Sequence, residues 1–189
     1  LVDGVDMATA NSRTLDRVRR DFGMLFQGAA LFDSLSVLEN VGFRLMEHTD
    51  MSLEEITQRV AECLAMVGLR GIEKVKPAAL SGGMKKRVGL ARAISMSPKF
   101  ILFDEPTTGV DPVTGDVINN LIRGLHDKLK TTSVTVTHDM KSAYKIADRI
   151  AMLYNKKIIA VGTPEEIRSS DNPVVRQFIS GDSEGPITN

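Results

Sequence analysis

Two short apolar runs on either side of one long, well-capped helix constrain this chain more than any other feature. "KFILF", residues 99–103, reads as a strand. Asp111-Pro112 supplies a cap followed by proline at the first helical position. The helix then runs to about Leu129, with Val113, Val117, Leu121 and Leu125 repeating on one face. "TSVTVT", 132–137, is a β-branched strand. Strand, crossover helix and strand in that order imply parallel pairing. Strands and helices alternate elsewhere too, so the expected fold class is α/β with a largely parallel sheet.

The flanking segments fill in the outline. "SRTLDRVRRD" reads as a short helix with Ser12 as its cap, and "FGMLF", 22–26, as a strand. "SVLENVGFRLMEH", 36–48, is helical in pattern. A capping box, Ser52 to Glu55, opens a helix whose apolar face carries Leu53, Ile56, Val60, Leu64 and Val67 and which Gly68 ends. Ser81 opens another helix, 82–96, closed by Pro98. Residues from about 36 to 97 thus form a helical subdomain between two strands of the core. Further on, "RIAMLYNKKIIAVG" is a hairpin turning at Asn155-Lys156, Thr163 to Glu166 is a second capping box, and Asn172-Pro173 starts a last helix. The domain is expected over 1–181, with a flexible polar tail at 182–189. The chain opens on "LVDGVDM", a strand end entering a turn at Asp3-Gly4. A domain seldom begins inside a hairpin, and the expectation is that an N-terminal part is absent.

Lys plus Arg and Asp plus Glu both number 24, so the net charge is zero. Bulk attraction to nucleic acid or to an anionic membrane has no basis in this composition. The basic run Lys85-Lys86-Arg87 reads as a solvated helix face. The single cysteine, Cys63, lies in an apolar stripe and reads as a small buried hydrophobe, which fits a reducing compartment. No stretch approaches the ~20 apolar residues of a membrane span.

Chemistry concentrates where strands end. Asp104 and Glu105 follow "KFILF" at the edge of the sheet where α/β proteins bind ligands. An aspartate there can hold Mg²⁺ through its waters, and the next carboxylate can orient or deprotonate an attacking water. "LSGGMKKR", 80–87, places Ser81, Gly82 and Gly83 at a helix start, where unpaired N–H groups and the helix dipole attract phosphate. Two glycines in a first turn cost about 1 kcal/mol each, so they have a reason to be there. His138 follows the strand at 132–137 and can hydrogen-bond a γ-phosphate or a water. Gln27, after "FGMLF", can offer an amide to Mg²⁺ or water. One part is missing. No G-x-x-x-x-G-K-[ST] phosphate loop occurs; Gly23 and Gly28 have its spacing, but Ala29 and Ala30 follow them.

In order and spacing, "LFQ", "LSGGM", "FILFDE", "TGVD" and His138 resemble the Q-loop, signature, Walker B, D-loop and switch histidine of the ABC-type ATPases. The resemblance covers Leu1 to about Ile179. Two positions depart from it: Met84 stands where most members have glutamine, and the D-loop is Thr-Gly-Val-Asp instead of Ser-Ala-Leu-Asp. "LFQGAALFDSLSVLENV" and "LSGGMKKRVGLARAI" look most like the subgroup that powers Mla/Mce-type lipid, or toluene-tolerance, transporters.

The resemblance implies a P-loop NTPase-like core and an ATP-binding, ATP-hydrolysing subunit of a lipid transporter. Its catalytic residues would be Glu105, His138 and Gln27. Ser81, Gly82, Gly83 and Asp111 would contact ATP, and Asp104 with Gln27 would serve Mg²⁺. It further implies a second ATPase subunit, an integral-membrane permease, no nucleic-acid partner, and a cytoplasmic location on the inner-membrane face. In the family the Walker A loop lies just upstream of the strand that "LVDGVDM" resembles, so this polypeptide alone is expected to be inactive. Phe32, in the apolar loop "GAALFDSLSV", falls where the family receives its permease, and exposure is expected there. A soluble non-transport ATPase and a non-catalytic subunit are the competing readings.

Overall fold

The computed structural model describes residues 1–187, so the end of the segment expected as a tail, Thr188 and Asn189, lies outside the described residues. The chain falls into two compact units, Leu1–Val136 and the residues from Thr137 onward.

The first unit begins with a tight turn. Val2 and Val5 exchange both backbone hydrogen bonds across Asp3 and Gly4, which take φ of 44° and 79°. Helix α1 (Ser12–Arg20) follows, then β1 (Phe22–Leu25), α2 (Val37–His48) and α3 (Leu53–Met66). After a short 3₁₀ turn at Pro77–Ala79 come α4 (Gly82–Ile94), β2 (Phe100–Asp104), α5 (Pro112–Leu129) and β3 (Thr132–Val136). The strands lie in the order β1-β2-β3, all parallel, with Leu25 opposite Phe103 and Asp104 opposite Val136.

One face of the sheet is closed. Gly23, Leu25, Ile101 and Phe103 are buried on it. Helix α4 lies so close that a β-carbon on Gly23 would sit 2.1 Å from the Ala93 carbonyl oxygen. Gly23 is therefore a packing glycine in a strand, and its spacing to Gly28 has no bearing on phosphate. The opposite face carries Phe22, Met24, Phe100 and Leu102, all half-buried. A cavity of about 400 Å³ opens there, lined among others by Met7, Phe22, Met24, Phe26 and Leu102.

Helix α4 is buried on nearly every side, through Lys86, Val88, Gly89, Leu90, Ala91, Ala93 and Ile94. It packs against α2 and α3 as well as β1. Val41, Leu45, Val60, Cys63 and Leu64 complete the helical core. Burial pushes the Cys63 thiol up, in keeping with a small hydrophobe. The Arg59 guanidinium ties α3 to the end of α4, donating to the carbonyls of Ser95 and Ile94. A cation on the last carbonyls of a helix opposes its dipole and fills otherwise unmet acceptors.

Three local expectations change. Asn11, not Ser12, caps α1, its side chain accepting from the Thr14 N–H. On α3, Leu53 is 69% exposed while Ile56, Val60 and Leu64 are buried. On α5 the buried stripe is Gly115, Ile118, Asn119, Ile122 and Leu125. Val113 is 76% exposed, so the stripe lies to one side of the apolar face read from the sequence. Thr107 and Val110, packed around Gly115, help fix that rotation.

In the second unit, α6 (Met140–Ile146) precedes an antiparallel hairpin of β4 (Ile150–Tyr154) and β5 (Lys157–Gly162). Its turn residues Asn155 and Lys156 have φ of 46° and 63°, the pairing that suits a two-residue hairpin. Helices α7 (Pro164–Arg168) and α8 (Pro173–Ser180) complete the unit. Met152, Ile167 and Val175 form its core. Gln177 ties the following residues back, its amide donating to the Asp182 carbonyl and accepting from the Ile187 N–H.

Candidate functional site

Parallel pairing brings the ends of β1 and β2 to one edge. Asp104 closes β2 and is half-buried. Glu105 is the first residue past the strand and takes φ of 45°. That left-handed conformation costs a non-glycine residue roughly 1–2 kcal/mol. It is held on three sides. The Glu105 N–H donates to the Val136 carbonyl at 2.9 Å, the Thr108 hydroxyl donates to Oε2 at 3.0 Å, and the Lys86 ammonium donates to the Glu105 carbonyl at 3.1 Å. The turn re-aims the carboxylate away from the line of the strand.

Gln27 lies two residues past β1 and is exposed. Its carbonyl accepts a hydrogen bond from the same Lys86 ammonium. The loop beyond it is strained as well: Ala29 and Ala30 have φ of 61° and 46°. The Arg92 guanidinium binds both of their carbonyls, at 2.6 and 2.7 Å. Ala29 is buried on Gly89 of α4.

The start of α4 meets the start of α5. Ser81 caps α4 through the Met84 N–H. Gly82 is exposed, and a β-carbon there would make only ordinary contacts, at 3.9 Å to the Gly109 carbonyl oxygen and to Val110 Cγ1. A β-carbon on Gly83 would sit 2.5 Å from Thr114 Cγ2. Asp111 caps α5, accepting from the Val113 and Thr114 N–H groups at 3.0 Å and from the Thr114 hydroxyl at 2.6 Å. The Thr114 hydroxyl, then these N–H groups, hold the Asp111 carboxyl below its usual range. One glycine thus leaves a helix start bare while its neighbour lets two helix starts touch.

His138 belongs to the second unit. It is exposed and precedes Asp139, the cap of α6.

The basic run is not a solvated face, as its sequence suggested. Lys86 is 5% exposed. Burial lowers its pKa, and the Glu105 and Asp104 carboxylates oppose that shift. The available signal was the helix itself: α4 is apolar around most of its circumference, so a lysine within it has little surface left to occupy. Asn40 was missed too. It is fully buried on α2, accepts from the Phe32 N–H at 2.8 Å, and donates to the carbonyls of Phe32, Leu35 and Ser36. The loop it organises leaves Phe32 47% exposed, against Phe43 with ring centroids 5.0 Å apart.

Among the described residues no group of three or more His, Cys, Asp or Glu side chains could hold a metal. A carboxylate and an amide at adjacent strand ends, Asp104 and Gln27, fit a magnesium ion that draws its remaining ligands from water and phosphate.

A parallel sheet with paired carboxylates at its C-terminal edge, beside a helix that starts on two glycines, defines a nucleotide-handling α/β cassette. The chain belongs to the ABC transporter family, whose pattern matches residues 1–108. It is 44% identical over 187 residues to the intermembrane phospholipid transport system ATP-binding protein MlaF of Haemophilus influenzae, covering 99% of this chain and 71% of that protein. It is 42% identical to a probable ribonucleotide transport ATP-binding protein, Mkl, of Mycobacterium tuberculosis, covering 99% of this chain and 52% of that protein. The fold matches the ATP-binding cassette MJ0796, solved as a dimer with ADP and phosphate, with a TM-score of 0.77 and 35% identity over 86% of this chain and 72% of that one. The architecture is accordingly the α/β core of an ABC ATPase.

Proposed function

We propose that this chain is the ATP-handling part of a transporter subunit that moves phospholipid or a similar hydrophobic compound through a partner permease. The observation that carries the reading is Glu105: a carboxylate on a left-handed residue just past the end of β2, with the Thr108 hydroxyl donating to its Oε2. In this reading Glu105 orients and deprotonates the attacking water, and His138 senses the γ-phosphate. Ser81, Gly82 and Gly83 close on the phosphates of ATP held by a second subunit, with Asp111 near the same junction. Asp104 and Gln27 would hold Mg²⁺, which neutralises phosphate charge when bound.

Residues 1–181 serve as one functional domain, with 36–97 as its permease-facing part. No helix among the described residues is long and apolar enough to cross a membrane. By its kinship with transport ATP-binding proteins, the subunit would sit on the cytoplasmic membrane face and reach lipid through its permease. The kinship with a phospholipid transport protein supports that cargo over the ribonucleotide named for Mkl. The 189-residue polypeptide by itself would not turn over ATP, since its sequence offers no glycine cradle with a lysine for the β- and γ-phosphates.

In the complete gene product, Glu105→Gln should nearly abolish hydrolysis while keeping ATP binding, so that ATP-bound dimers accumulate on size exclusion. Gln keeps the shape but cannot take a proton. Wild-type turnover in that variant would remove Glu105 from the chemistry.

A further inference from the structure

The Lys86 ammonium is desolvated, yet its hydrogen bonds run to backbone carbonyls, those of Gln27 and Glu105. Desolvating a cation is costly unless several acceptors and nearby negative charge compensate. The two acceptors come from the ends of two different strands, and the donor comes from the second turn of the helix that begins at Gly82. No other side chain among the hydrogen bonds described joins these three segments. Meanwhile Glu105 needs support, because a left-handed glutamate persists only where its surroundings over-determine it. Its N–H is fixed by β3 and its carboxylate by Thr108 in its own turn. Its carbonyl accepts from the Thr108 N–H at 3.3 Å within its own turn and from the Lys86 ammonium at 3.1 Å, the bond that ties it to another element.

We infer that Lys86 is a positioning residue: it locks the Glu105 peptide and the Gln27 loop to the glycine-bearing start of α4, so that these groups keep one geometry and move as one body. This rests on the reading of Glu105 as the residue that acts on water. Lys86 itself need touch neither nucleotide nor water. Removing its donor would leave the Glu105 carbonyl only the longer bond from the Thr108 N–H, and the peptide after Glu105 would gain freedom to rotate, with the carboxylate following. A displacement near 1 Å at a reacting group lowers turnover by about 100-fold. Nucleotide affinity does not depend on that carboxylate and should hardly change.

The test uses the complete gene product with its permease. Lys86→Met, Lys86→Gln and Lys86→Arg would be compared with Glu105→Gln for kcat, for equilibrium Mg-ATP affinity, and for thermal melting. Lys86→Met should lower kcat by about 100-fold with affinity close to wild type. Lys86→Gln, which still donates to carbonyls without a charge, should recover much of the loss while melting no higher than Lys86→Met. If Lys86→Met fails to fold, the Gln and Arg variants carry the comparison. There a kcat loss that exceeds any loss of affinity supports the inference, and equal losses overturn it. Wild-type turnover in Lys86→Met overturns it too, as does a loss of kcat, affinity and melting temperature in parallel. Retained activity in Glu105→Gln would instead overturn the reading beneath it, and the two failures are therefore distinguishable.

Discussion

Replacing Asn40 should show how firmly the Phe32 loop is held. The side chain is fully buried, and its amide is used from both ends. Oδ1 accepts from the Phe32 N–H at 2.8 Å, and Nδ2 faces three carbonyls, those of Phe32 and Leu35 at 3.1 Å and Ser36 at 2.9 Å. Nδ2 has two hydrogens to share among its three carbonyls, so Asn40→Ala removes about three full hydrogen bonds at about 1 kcal/mol each, for a total of roughly 3 kcal/mol. With a urea m-value near 2 kcal/mol/M, the midpoint should fall by about 1.5 M. Asn40→Asp is nearly isosteric but turns a carboxylate oxygen toward three carbonyl oxygens. It should be less stable than the alanine variant at pH 7. The sign with pH follows. The surrounding carbonyls raise the carboxyl pKa in the folded state above about 3.9, so the folded protein favours the protonated form. Its stability is then greatest below the unfolded pKa and is lost as pH rises toward the folded value. Urea melts of both variants at pH 7 and at pH 5 would show the aspartate variant gaining on the alanine variant at the lower pH. An aspartate variant equal to alanine at both pH values would refute the account, as would an alanine variant that melts like wild type.

Other outcomes follow from the same geometry. Gly83→Ala puts a β-carbon 2.5 Å from Thr114 Cγ2, on a side chain that Asp111 already holds. It should cost about 1–3 kcal/mol, and Thr114→Ser, which keeps the hydroxyl and removes the methyl, should relieve it; additive losses in the double variant would disprove the clash. Phe32→Asp should lower stability by only about 1 kcal/mol, since the ring is half-exposed and has one aromatic neighbour. It should also selectively reduce co-purification with the permease; a collapse in melting temperature without partner loss would place Phe32 in the core instead. The capping carboxylates Glu39 and Glu55 are held below their usual range, Glu39 first by the Ser36 hydroxyl and Glu55 first by the Ser52 N–H. Their stabilisation is present above the unfolded pKa and lost as pH falls through the lower folded values. Acid unfolding of Ser36→Ala/Ser52→Ala should therefore be flatter roughly between pH 5 and 3, and an unchanged slope would count against these caps.

The order of strands and helices was legible along the chain because it depends on local rules. Asp111-Pro112, Ser52 to Glu55, and Asn155-Lys156 each set their own backbone through side chains a few residues apart. The strand-end residues Gln27, Asp104 and Glu105 were legible for the same reason, since a short apolar run announces where the polar residues after it emerge. Tertiary packing decided the rest. Whether Lys86 points to water or to the ends of two strands depends on α4 being enclosed by β1, α2 and α3, which no window of sequence contains. Whether Gly83 faces phosphate or a neighbouring helix depends on Thr114, 31 positions away. The left-handed turn at Glu105 is likewise held by groups distant in sequence, Lys86 and Val136. A buried polar group takes its role from the partners that desolvation forces upon it, and those partners exist only once the chain has closed.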